Sequence, residues 1–143
     1  MHIKTLALTT MLWALALPPL PSVWHAQTTE APTVALAGNG RALLPVVVAT
    51  TATPEVRATA ATLADYLKRI SGANFVVQDG DCRTGLAVGT AADFPALPPA
   101  TKLDAADNRR REQYVLQSHA GGIYLIGATP LAVRHAIWDF LDR

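Results

Sequence analysis

Residues 114–130 read Tyr114-Val115-Leu116-Gln117-Ser118-His119-Ala120-Gly121-Gly122-Ile123-Tyr124-Leu125-Ile126-Gly127-Ala128-Thr129-Pro130. Two runs rich in β-branched and aromatic residues flank a short turn bearing Gly121-Gly122, which is the pattern of a β-hairpin. Thr129-Pro130 then predicts a helix start, a hydroxyl cap followed by proline at the first helical position. Beyond it Val133, Ala136, Ile137, Phe140 and Leu141 recur at helical spacing and form one apolar stripe. A hairpin that runs directly into an amphipathic helix predicts a helix laid across a sheet.

Upstream the same grammar appears in reverse proportion. Ala42-Leu43-Leu44-Pro45-Val46-Val47-Val48 predicts a strand, with Pro45 marking its start or a sheet edge. Thr53-Pro54-Glu55 repeats the cap-plus-proline signal with an acid in the first turn, where the helix dipole favours it. Val56, Ala60, Leu63, Leu67 and Ile70 follow as a buried stripe, and Gly72 ends the helix after Lys68 and Arg69. Asn74-Phe75-Val76-Val77 and Gly85-Leu86-Ala87-Val88-Gly89 predict two short strands separated by an Asp79-Gly80-Asp81 turn. Residues 90–107 are proline-bearing and read as one long loop, of the kind that is often functional or mobile. The order strand, helix, two strands, hairpin, helix predicts an α+β domain, a small, largely antiparallel sheet with two helices on one face.

The chain of 143 residues is 50% hydrophobic, 16% charged and carries a net charge of +1, with a single cysteine. That composition excludes a disordered segment, and the absence of a basic excess argues against nucleic acid as a partner. Lys4 precedes an uncharged run, Thr5–Leu20, broken by Pro18 and Pro19 and followed by Pro21. Residues 1–26 are therefore expected to be a signal peptide, since the run is too short and too proline-broken to span a hydrocarbon core of about 30 Å. Export would place the protein in the periplasm or outside the cell, with no membrane attachment after cleavage near Ala26. Loss of Lys4 leaves equal numbers of bases and acids, so no field steers phosphate or anionic lipid toward the domain. Residues 27–41 are expected to form a flexible leader and residues 42–143 the folded domain. The last helix stops at Arg143 in mid-pattern, which predicts a chain truncated from something longer.

A search for chemistry among these residues returns no catalytic constellation, no cofactor loop and no metal set. Asp79 and Asp81 are the closest pair of carboxyls, but acids beside a glycine read as turn formers rather than as an acid and base across a glycosidic bond. His119 in a hairpin and His135 on a helix lack a second ligand at metal spacing. Cys82, flanked by carboxylates, is expected to be an inert thiol. Gly127-Ala128-Thr129-Pro130 offers too few free amides for a phosphate, and Arg109-Arg110-Arg111 reads as a solvated loop edge. Trp138 stands one residue from Ile137, about 100° round the helix, so it is expected on the flank of the buried stripe. It is the candidate contact for a neighbouring domain or for a sugar face; Tyr66, Tyr114 and Tyr124 are the other aromatics that could stack on sugar, and core or interface packing explains all four better.

Five segments in succession carry a resemblance: Leu63–Phe75, Leu86–Gly89, Glu112–Leu116, Gly121–Gly127 and Ala136–Leu141. Together they resemble the N-terminal domain of bacterial alpha-glucuronidases, and are similar also to the non-catalytic domain that precedes the barrel in beta-N-acetylhexosaminidases. The resemblance implies an accessory domain over residues 42–143, with a catalytic (β/α) barrel as its partner in the same chain. In that family the catalytic carboxylates belong to the barrel, which is absent from this sequence, so the chain is expected to be inactive alone. The expected function is thus a non-catalytic accessory domain of an exported glycoside hydrolase acting in polysaccharide degradation. The alternative is a free-standing carbohydrate-binding module.

Overall fold

The computed structural model describes residues 32–143, so the expected signal peptide and much of the expected leader lie outside the described residues. The first elements are β1 (Ala37–Gly38) and β2 (Arg41–Ala42), an antiparallel pair turned by Asn39 and Gly40, both at positive φ. Val34, Leu36 and Ala37 pack against the main core, so the last part of the stretch read as a flexible leader is structured. β3 (Val46–Val48) follows as three buried valines, shorter than the strand expected from Ala42 because Ala42 is taken by the hairpin.

The first helix, α1 (Pro54–Ser71), starts and stops where its capping residues dictate. Val56 donates its amide to Thr53 Oγ1 at 3.3 Å, and Gly72, left-handed at φ 73°, donates its own to the Lys68 carbonyl. After it come β4 (Val77–Asp79), β5 (Gly85–Thr90), a long connection with one 3₁₀ turn at Ala100–Lys102, β6 (Tyr114–His119), β7 (Gly122–Gly127) and α2 (Pro130–Asp142). The hairpin of β6 and β7 and the Thr129 cap of α2 are found where the sequence places them.

The sheet runs β4-β3-β5-β7-β6, and only β6 is antiparallel to its neighbour. This corrects the expectation of a largely antiparallel sheet; the fold is α/β with a mixed, mostly parallel sheet. The reason lies at Asp79-Gly80-Asp81, whose composition predicts a turn: residues 80–84 instead form a crossover from β4 on one side of β3 to β5 on the other. β3 is only three residues long, about 10 Å. A short segment therefore suffices to pass over it, where a longer strand would have demanded a helix. Glycine permits the close passage: a Cβ on Gly80 or Gly85 would stand 2.7 Å or 2.8 Å from the Val47 side chain.

Register sorts the two faces. Val46, Val48, Leu86, Val88, Ile123 and Leu125 share one face, and a Cβ on Gly127 of that face would collide with Ala132 and Val133 of α2. Both helices pack there, α1 over β3 and β5 and α2 over β5, β7 and β6, and they touch one another. Two helices on one face were expected and are found. Val47, Ala87, Gly89 and Tyr124 form the opposite face, covered by the crossover and by Phe94 of the long connection. That connection is packed, with Phe94, Leu97 and Ala100 buried. Leu63, Leu86, Leu125, Ile126 and Ile137 are fully buried, each worth roughly 1.5–3 kcal/mol.

One stripe residue departs from expectation. Ile70 is 70% exposed rather than buried. It lies in the last turn of an 18-residue helix, about 27 Å long, which outruns strands of at most six residues, about 20 Å.

Candidate functional site

The outer surface of the helix pair carries the most prominent exposed aromatic group. Trp138 is 45% exposed on α2, on the flank of the stripe whose Val133 and Ile137 are buried. Its ring meets Tyr66 of α1 edge-on, with centroids 5.3 Å apart and planes at 78°, and the Arg69 guanidinium lies 5.2 Å from the Tyr66 ring centre. Edge-to-face packing of this kind joins the two helices beyond simple area burial. The exposed Ile70 completes a hollow of about 470 Å³ with Tyr66, Trp138 and Leu141, walled by Asp139 and Asp142. Asp139 accepts from Arg143 Nη2 at 2.9 Å and from the Tyr114 hydroxyl at 3.2 Å. The Arg143 guanidinium holds the Asp139 carboxyl below its ordinary range, while desolvation, and after it Asp139, pushes the exposed Tyr114 hydroxyl upward. A second hollow of about 290 Å³ lies on the other side of Trp138, between Thr59, Thr62 and Arg134. Trp138 is thus a ridge between two depressions, a shape suited to contact.

The remaining sequence candidates are dispersed. Asp79 is paired with Arg57 at 2.7 Å, and Asp81 accepts from the Arg83 amide and lies 3.5 Å from its guanidinium; each carboxylate faces an arginine rather than the other carboxylate. Cys82 is buried at φ 60°, its thiol donating to the Val47 carbonyl at 3.5 Å, and burial together with Asp81 pushes its pKa up to about 12. Burial and protonation at physiological pH disfavour the thiolate there. His119 is stacked on Tyr124 at 4.0 Å and accepts from the Gly121 amide through Nδ1, while desolvation lowers its pKa. It is half-buried rather than a plain surface histidine. At the start of α2 the Ala128 amide donates to the Gln113 carbonyl and the Thr129 hydroxyl to the Arg111 carbonyl, so protein groups occupy that turn. Arg110 is engaged with Gln113 and the Lys102 carbonyl. Among the described residues no group of three or more His, Cys, Asp or Glu stands together to hold a metal ion. Nor is any described helix long and apolar enough to cross a membrane.

Sequence reasoning missed Arg57, a solvent-side residue by helical periodicity. Its Nη2 donates to the Ala49 and Thr50 carbonyls at 3.0 and 3.1 Å, its Nε to the Ala52 carbonyl, and its Nη1 to Asp79. No local signal marks it, because all four acceptors lie on the loop after β3 or on β4.

This α/β module recurs among solved structures as one section of a much larger glycoside hydrolase. That chain is a family GH115 4-O-methyl-alpha-glucuronidase with specificity for decorated arabinogalactans; 72% of the present chain matches 13% of it, at 20% identity and a TM-score of 0.50. The resemblance to a domain of alpha-glucuronidases read from the five segments is therefore met at the level of fold. No family model and no curated protein matches the sequence.

Proposed function

We propose that the chain is a non-catalytic accessory domain of an exported glycoside hydrolase of the alpha-glucuronidase kind, acting in polysaccharide degradation. The carrying observation is the fold likeness to a section that makes up 13% of a much larger glucuronidase chain. In this reading the partner is a catalytic (β/α) barrel, and the ridge of Trp138 between its two hollows, with Tyr66 and Ile70 beside it, is the face that meets the barrel. A core-quality aromatic left 45% exposed beside a 70% exposed isoleucine is the surface composition of a contact rather than of a solvated helix. In this reading catalysis belongs to the barrel, and the nearest carboxyl pair of this domain, Asp79 and Asp81, is engaged with Arg57 and Arg83.

The test is hydrolysis and binding by the purified chain. Aryl glucuronides and aryl N-acetylhexosaminides stay at background, and migration through glucuronoxylan and arabinogalactan gels in affinity electrophoresis does not depend on Trp138. Turnover that disappears in an Asp79→Asn, Asp81→Asn double variant overturns the non-catalytic reading. Retardation that disappears in Trp138→Ala favours the free-standing carbohydrate-binding module instead. Export is tested by N-terminal sequencing of extracytoplasmic material, which should begin near Gln27.

A further inference from the structure

The carboxyl ends of the parallel strands hold a third concavity, apart from the two that flank Trp138. The loop Ala49–Thr51 leaves the end of β3, Gly80 and Asp81 leave the end of β4, and Asp93–Leu97 follow the end of β5. Between them lies a hollow of about 410 Å³. β3 and β5 are neighbours whose chains depart in opposite senses. The chain after β3 climbs onto the helix face and returns through β4; the chain after β5 turns to the opposite face, with Phe94 under Gly89, and returns on the far side through β6. Two adjacent parallel strands whose connections diverge leave a crevice at their carboxyl ends, and ligands of open α/β sheets bind in that crevice.

The walls are held rigidly. Arg57 fixes the Ala49 and Thr50 carbonyls from one side and the end of β4 from the other. On the β5 side both hydrogen bonds from Thr90, amide and hydroxyl, fall on Asp93 Oδ2 at 2.8 Å, and Oδ1 carries none among the described residues. The lining is mixed: Thr50 and Thr51, the carboxylates of Asp81 and Asp93, the guanidinium of Arg83, and an apolar side from Phe94 onward. Carboxylate oxygens accept from pairs of hydroxyls, a guanidinium donates to hydroxyl or ring oxygens, and an apolar wall suits the C–H face of a ring. Two carboxylates against one guanidinium disfavour an anion.

From this we infer that the crevice between β3 and β5 is a binding site for a neutral polyol of about one sugar ring, with Asp81, Arg83 and Asp93 as its hydrogen-bonding residues. The inference rests on the sheet topology and the lining, and stands apart from the docking role of Trp138. Its test is amide-shift mapping of the ¹⁵N-labelled chain titrated separately with D-xylose, D-galactose and L-arabinose, and with D-glucuronate as the charged counterpart. Saturable shifts should gather at Thr50, Thr51, Asp81 and Asp93 for at least one neutral sugar, with weaker binding of D-glucuronate. Asp81→Asn and Arg83→Ala, both at exposed positions, should each weaken that binding about tenfold, as loss of one charge-assisted hydrogen bond would. Absence of saturable shifts with all three neutral sugars overturns the proposal, as do shifts gathered around Tyr66 and Trp138, or D-glucuronate binding as tightly as the neutral sugars. Shifts at the crevice, or their absence, leave the accessory role untouched, since its own tests are the glucuronide assay and the Trp138→Ala gels; shifts at Tyr66 and Trp138 would instead favour the free-standing module.

Discussion

The Arg57 guanidinium and the Asp79 carboxylate meet at 2.7 Å, tying the start of α1 to the last residue of β4. The two side chains are 39% and 49% exposed, so the ion pair itself contributes less than about 1 kcal/mol. The bonds that Arg57 makes to the Ala49, Thr50 and Ala52 carbonyls matter more, because they occupy acceptors of a loop with no partner strand. Arg57→Ala should therefore lower stability by about 1–3 kcal/mol. Asp79→Ala should cost under about 1 kcal/mol. Urea unfolding of both variants decides the ranking; equal losses would mean that the ion pair, not the carbonyl clamp, carries the effect.

Close backbone approach makes Gly122 irreplaceable. A Cβ there would overlap the Gly85 carbonyl and its neighbouring backbone atoms, with no flexible side chain able to yield. Gly122→Ala should destabilise by upward of about 3 kcal/mol, the high end of overpacking. Gly40→Ala, with φ 72° and nothing within 4 Å of the added carbon, should cost about 1–2 kcal/mol for its left-handed backbone alone. Thermal melts of the pair separate steric overlap from backbone strain.

On α2 two adjacent residues should behave oppositely. Ile137 is 1% exposed, and Ile137→Ala should cost about 2–5 kcal/mol as a core truncation. Trp138→Lys removes the edge contact to Tyr66, worth about 0.5–1.5 kcal/mol. The lysine should also reduce self-association of the isolated domain, read by light scattering at rising concentration. A loss of stability from Trp138→Lys equal to that from Ile137→Ala would make the indole a core group and remove the docking face.

Cys82 makes stability depend on alkaline pH. Its pKa is raised from the ordinary 9.0 to about 12 by burial, so the folded chain keeps a proton that the unfolded chain releases. The resulting stabilisation is complete below about pH 9 and is lost as pH rises toward about 12. The difference in unfolding free energy between the wild-type chain and Cys82→Ala should shrink across that window. Iodoacetamide at neutral pH should label the thiol only in denaturant; rapid labelling of the folded chain would contradict its burial.

Local chemistry made much of this protein readable. Thr53-Pro54 and Thr129-Pro130 announce both helices, Gly72 ends the first, and the alternation around Gly121-Gly122 specifies the hairpin, because caps, proline and turn geometry act within a few residues. The flank position of Trp138 follows from helical periodicity alone, and the five-segment resemblance pointed to the fold family that the solved glucuronidase shares. Strand direction was not readable: residues 80–84 have turn composition whether they reverse the chain or carry it across a neighbouring strand, and only the shortness of β3 and the room above Val47 make the crossover possible. Ile70 obeyed the stripe yet lies in solvent, since exposure depends on where the sheet ends and not on the helix. Arg57, the clamp, and the crevice between β3 and β5 exist only once distant segments are side by side. The sequence by itself determined the helices, their caps and the hairpin, whose forces are local; the tertiary structure decided the parallel sheet and its crevice, because those depend on which strands pair and on the path the chain takes between them.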